Sequence, residues 1–207
     1  MNILIFGSSI TWGAWDEKGG WAQRIKTDAD ADARASSLNQ YNAVYCLGVS
    51  GDTTVGLLER FNTEVKARVD ENEELLIVVE IGINDSQLVL AENKSLVTPE
   101  EYQNNLIKLI EKAKNYGAKV VFVGLTPVDE RVEPIPWAPE SSYKLGLVEK
   151  YDAILKKVCS EHNSQYIEVM SKFPKDKYKS LLLDGVHPTT EGHRVIYEEV
   201  KKQLALL

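Results

Sequence analysis

Among the three histidines of this 207-residue chain, His187 stands three positions after an aspartate in the stretch LLLDGVHPTTEGH. Asp184 and His187, followed by Pro188, can share one turn. The carboxylate then accepts the imidazole Nδ1–H, fixes the tautomer and leaves Nε2 available as a general base near neutral pH. Such a base needs a group to activate. Ser8 and Ser9, in FGSSITWG, are two adjacent hydroxyls placed where an apolar run ends between glycines, and a serine hydroxyl is a poor nucleophile until a base takes its proton. Two more small-residue turns, LGVSGDTT and IGINDS, follow later apolar runs. Glycine there lets backbone N–H groups approach a ligand closely, which suits an anion cradle, although such turns also follow strands for purely structural reasons.

Other residues carry chemistry less well. SSYK (141–144) fits Ser-x-x-Lys but lacks companion motifs, and it reads as the capped start of a helix. Asp184, His187 and His193 lie within ten residues of one another and would make a poor metal set, with no second cluster near in sequence. His193 falls inside a helical pattern and reads as structural, while His162 sits at a helix end where the dipole favours a cation. Thr11 reads as a local cap, and Asp52 and Asp85 as holders of loop backbone. Trp12, Trp15 and Trp21 crowd together after the serines and Trp137 lies farther on. Of these, Trp12 and Trp137 are candidates to line a substrate pocket.

These residues sit at the junctions of a regular alternation. Apolar runs at 2–6, 43–47, 75–81, 119–125 and, more weakly, 165–169 suit parallel strands covered on both faces. Helical patterns lie at about 19–29, 54–69, 98–116, 141–162 and 190–206. Thr98, Pro99 and Glu101 form a capping box and Gly117 a stop. The last helix starts at a threonine cap and offers Val195, Ile196, Val200 and Leu204 for one face. A βαβ rhythm implies right-handed crossovers and a functional site beyond the strands' carboxyl ends. One segment, LTPVDERVEPIPWAPE (125–140), has four prolines and no period, and reads as a long binding-type loop at a strand end.

Length and composition indicate one globular domain spanning 1–207. A net charge of −7 and a pI near 5.1 give no general attraction to nucleic acid or anionic membrane. Cys46 and Cys159 are too isolated for a disulfide framework. The N-terminal apolar run is too short for a signal peptide, and no stretch approaches a membrane span. A cytoplasmic protein is the expectation.

Four blocks, FGSSITWG, GVSGDTT, GIND and DGVHP, in this order and covering residues 6–188, resemble those of the SGNH (GDSL-type) serine esterase family. The resemblance implies a three-layer α/β/α sandwich with about five parallel strands in the flavodoxin-like order 2-1-3-4-5. It makes Ser9 the nucleophile, Asp184 and His187 the carboxylate and base, and Ser9 N–H, Gly51 N–H and the Asn84 amide the oxyanion donors. The family's first block reads Gly-Asp-Ser-Ile-Thr, so Ser8 stands where an aspartate is usual. A serine can replace some of that aspartate's hydrogen bonds but not its charge, and an active enzyme with a slightly altered turn is expected. The implied reaction is hydrolysis of a small carboxylic ester through an acyl-Ser9 intermediate, with no metal or organic cofactor. The substrate class extends from short acyl esters to acetylated sugars and lipids; the lack of an inserted apolar lid favours short chains. An acyltransferase on the same site, or a silent binding protein on the same fold, are the alternatives. Oligomeric state is not readable.

Overall fold

The computed structural model describes residues 1–39, 41–70, 72–132 and 135–204. Its main sheet has five parallel strands in the order β2-β1-β3-β6-β8: β1 (Asn2–Gly7), β2 (Ala43–Gly48), β3 (Leu75–Glu80), β6 (Lys119–Val123) and β8 (Gln165–Ile167). This is the expected order, and helices cover the sheet. β1 and β3 are buried along their whole length, because each has strands on both sides and helices above and below. That is why their sequences are continuous apolar runs rather than alternations. β2 and β8 are edges, and the half-buried Gln165 and Tyr166 of β8 account for its weaker pattern.

The helices are α1 (Ser9–Trp12), α2 (Gly20–Ala35), α3 (Thr54–Lys66), α4 (Pro99–Lys114), α5 (Leu145–Glu161) and α6 (Thr190–Leu204). Thr98 Oγ1 accepts from the Glu101 N–H at 3.2 Å, with Pro99 in the first turn. Thr189 Oγ1 likewise accepts from the Gly192 N–H at 3.2 Å and caps α6, whose Ile196 and Val200 enter the core. The end of the helix predicted to residue 206 lies outside the described residues. In the core, Phe6 of β1 stacks on Phe61 of α3 with ring centroids 5.2 Å apart.

Three features depart from the expectation. α2 runs six residues past 29, through DADADA, where alanine's helix propensity continues what apolar periodicity no longer marks. α5 starts at Leu145 rather than 141, because Ser141–Ser142 forms a short strand, β7. β7 pairs antiparallel with β4 (Leu88–Val89), which also pairs with β5 (Lys94–Ser95). Two-residue strands carry too little pattern to be read from sequence. The proline-rich segment forms no regular helix among its described residues, and Glu133 and Pro134 lie outside them.

Candidate active site

The last residue of β1 leads directly into α1. Ser9 is therefore the first residue of a one-turn helix at a strand's carboxyl end, where its N–H has no intrahelical acceptor. His187 arrives from the other end of the chain, in the loop before α6. That loop is tied down by Leu183 N–H donating to the His187 carbonyl (2.8 Å) and Asp129 N–H to the Gly185 carbonyl (2.7 Å). Ser9 Oγ lies 2.8 Å from His187 Nε2, and His187 Nδ1 lies 2.7 Å from Asp184 Oδ2. Asp184 Oδ1 accepts from the backbone N–H groups of Val186 (3.0 Å) and His187 (2.8 Å). Burial alone would push the Asp184 carboxyl up, but the His187 ring and these N–H donors outweigh it and hold it below its ordinary value. An ionised carboxylate fixes Nδ1 as a donor and leaves Nε2 to accept the serine proton.

The small-residue turns come to the same place. Gly51 has φ of 77° in the turn closed by Asp52 N–H to Val49 O (3.1 Å), a conformation that favours glycine. Asn84, buried just beyond β3, donates one amide N–H to the Asp52 carbonyl (2.9 Å) and accepts at Oδ1 from the Tyr143 hydroxyl (2.9 Å). These two bonds fix which end of the amide is the donor and leave its second N–H. Ser9, Gly51, Asn84, Trp12, Trp137 and His187 all line one cavity of about 290 Å³, together with Ala14, Trp15, Ser50 and Tyr143. The Trp137 ring centroid is 5.2 Å from that of His187. Every residue expected at the site is thus gathered there, with Asp184 behind His187.

Other expectations are corrected. Ser8 is fully buried, and among the described residues its Oγ has no hydrogen-bond partner; it replaces none of an aspartate's bonds. Thr11 does not cap locally but donates across the fold to Glu80 Oε2 (2.8 Å). Burial pushes the Glu80 carboxyl up to about 8, against the Thr11 bonds. Ser141 and Ser142 belong to β7 rather than capping α5. His193 is structural as read. It is fully buried, its Nε2 lies 3.2 Å from the Ala14 carbonyl, and burial pushes its pKa down to about 4. Asp52 pairs with Arg60 (2.9 Å) and accepts from the Thr53 N–H (3.1 Å), and Asp85 accepts from the N–H (3.0 Å) and hydroxyl (2.5 Å) of Thr54 at the start of α3; both hold backbone, as read. Among the described residues, no group of three His, Cys, Asp or Glu side chains is placed to hold a metal.

Sequence reasoning missed Tyr143, hidden in a stretch read as a helix start, and gave Trp15 no role. Nothing local to SSYK marks a hydroxyl that reaches a residue 59 positions away.

A parallel α/β/α sandwich that brings Ser9, His187 and Asp184 into one chain at its strand ends has the architecture of an SGNH-type hydrolase. The chain belongs to the GDSL-like lipase/acylhydrolase family, whose profile matches residues 5–195, and by class it is a GDSL-type esterase. It is similar to the uncharacterized lipoprotein YqeF of Bacillus subtilis, 26% identical over 97% of this chain and 88% of that protein. It is 22% identical to the isoamyl acetate-hydrolyzing esterase of Saccharomyces cerevisiae, over 97% of this chain and 84% of that one. Its fold matches that of a variant of Axe2, an acetyl xylan esterase from Geobacillus stearothermophilus, with a TM-score of 0.71 and 20% identity over 98% and 94% of the two chains. No helix among the described residues is long and apolar enough to cross a membrane.

Proposed function

We propose that this chain, acting as one hydrolase domain over 1–207, cleaves short-chain carboxylic esters through an acyl-Ser9 intermediate. The observation that carries the reading is the unbroken Ser9–His187–Asp184 chain of 2.8 and 2.7 Å, facing the same cavity as Gly51 and Asn84. Ser9 Oγ attacks the ester carbonyl carbon as His187 Nε2 takes the hydroxyl proton. The oxyanion is held by the N–H groups of Ser9 and Gly51 and the free N–H of Asn84, each donor in such a hole being worth roughly 3 kcal/mol. His187 passes its proton to the leaving alcohol, then takes one from water as it attacks the acyl carbon, and returns that proton to Ser9 Oγ as the acid product leaves. The steps need no cofactor.

A cavity near the lower end of ligand-pocket sizes, walled by Tyr143 and Trp137, supports a short acyl group. Two of the similar proteins are named for acetyl esters, isoamyl acetate and acetyl xylan. A panel of p-nitrophenyl esters of increasing acyl length, followed by acetylated sugars, tests this. We expect kcat/KM to be greatest for acetate or propionate; a maximum at octanoate or beyond refutes the short-chain reading. Product analysis with a competing alcohol separates hydrolysis from acyl transfer. A cytoplasmic location belongs to the same reading and is supported by the free thiols Cys46 and Cys159; fractionation of the source cells tests it.

A further inference from the structure

We propose that Trp15 is a positioning residue for the Asp184–His187 pair, a role that rests on the acyl-Ser9 reading above. Its indole Nε1–H donates to Asp184 Oδ2 at 2.8 Å, the same oxygen that accepts from His187 Nδ1. Its ring stands edge-on to the imidazole, with centroids 6.0 Å apart and planes at 86°. Asp184 thus has four N–H donors, two on each oxygen, and Trp15 supplies the one that comes from a different part of the chain.

The turn that carries Trp15 is built rather than incidental. Trp15 has φ of 66°, a conformation that a bulky L residue adopts only when its surroundings impose it. The surroundings do so from three sides. Gly13, at φ of 89°, packs so closely on the next loop that a Cβ there would lie 2.1 Å from the Gly19 carbonyl oxygen. His193 of α6 contacts the Ala14 carbonyl. Asp16 accepts from Gly20 N–H (2.9 Å) and Arg24 (2.9 Å), and Arg24 also donates to the Thr190 carbonyl (3.1 Å). Yet Trp15 is 58% exposed. A strained, pinned backbone that presents a largely exposed tryptophan gains little from core packing; what it achieves is the indole bond to Asp184.

The chemistry follows from the donor's nature. An indole N–H donates without titrating, so it stabilises the ionised carboxylate, fixes its rotation and limits its pull on the Nδ1 proton. Removing it leaves Oδ2 a stronger acceptor toward the imidazolium and freer to turn. Among the described residues, the charged and titratable groups around the pair include Asp16, Arg24 and His193 behind the turn, Tyr143 across the cavity, and Asp129 with Arg131 and Lys179 beside Gly185; a change confined to the Trp15 side chain substitutes none of them.

The test is the pH dependence of the rate at which a fluorophosphonate modifies wild type, Trp15→Phe and Trp15→Leu, read by intact mass. Circular dichroism confirms that each is folded. Phenylalanine keeps the edge-on ring and removes only the donor. We expect both variants to react roughly ten- to a hundredfold more slowly at neutral pH, with the acid limb moved to higher pH, and Trp15→Phe to keep an ester KM near that of wild type. Wild-type rates and an unmoved acid limb in Trp15→Phe overturn the proposal, as does a change in KM alone, which would make Trp15 only a pocket wall. If wild type itself is not modified at Ser9, the acyl-enzyme reading fails and this proposal falls with it.

Discussion

Ser8 and Tyr143 show how differently single residues disclose their roles. Ser8 draws attention in the sequence because an aspartate is usual there, yet its buried hydroxyl has no partner among the described residues. Ser8→Ala therefore loses no hydrogen bond and should change unfolding free energy by less than about 1 kcal/mol, measurable by urea denaturation; a loss of several kcal/mol would mean that the hydroxyl is bonded after all. Tyr143 draws no attention and holds the Asn84 amide in its donor orientation. Tyr143→Phe should lower kcat about tenfold with little change in KM, and Asn84→Ala should lower it by roughly 10² to 10³. Equal kcat in Tyr143→Phe and wild type would detach the tyrosine from the proposed oxyanion site. Asp-x-x-His and the Gly-rich turns are legible as local patterns, and it is the resemblance of the four blocks to the SGNH family that gives Ser9, Asp184, His187, Gly51 and Asn84 their proposed roles. Tyr143, Trp15 and the Thr11–Glu80 bond were not legible, because each depends on a partner at least 59 positions away.

At the scale of elements, the strands were legible wherever they are buried on both faces, and faded at the edge strand β8 and in the two-residue strands β4, β5 and β7. The joints between elements were not legible. One of them, Thr11 of α1 on Glu80 of β3, is a buried carboxylic acid beneath the proposed nucleophile. Its pKa rises from 4.5 to about 8 on folding. Between those values the native chain keeps a proton that the unfolded chain gives up, so Glu80's contribution to stability declines as pH rises from about 4.5 to 8 and levels off above. Glu80→Gln keeps an acceptor for Thr11 and removes the titration. Its urea midpoint should gain on that of wild type steadily from about pH 5 to pH 8; parallel curves would show that Glu80 is ionised in the fold. A second joint, Phe61 on Phe6, should cost about 3 to 5 kcal/mol when cut to alanine, read from the same denaturation curves.

Across the whole molecule, the sheet order brings residues 9, 51, 84 and 187 to one end, because β1, β2 and β3 are neighbours and the chain returns after β8 to set His187 against Ser9. The exposed Trp12, Trp15 and Trp137 line the cavity at that end. Everything argued above about acylation depends on Ser9. The most direct measurement is therefore intact-mass and peptide mapping after exposure to a fluorophosphonate. The account predicts a single adduct on Ser9, absent from a folded Ser9→Ala variant and strongly slowed in His187→Ala. An unlabelled wild type, or equal labelling of Ser9→Ala, would contradict it.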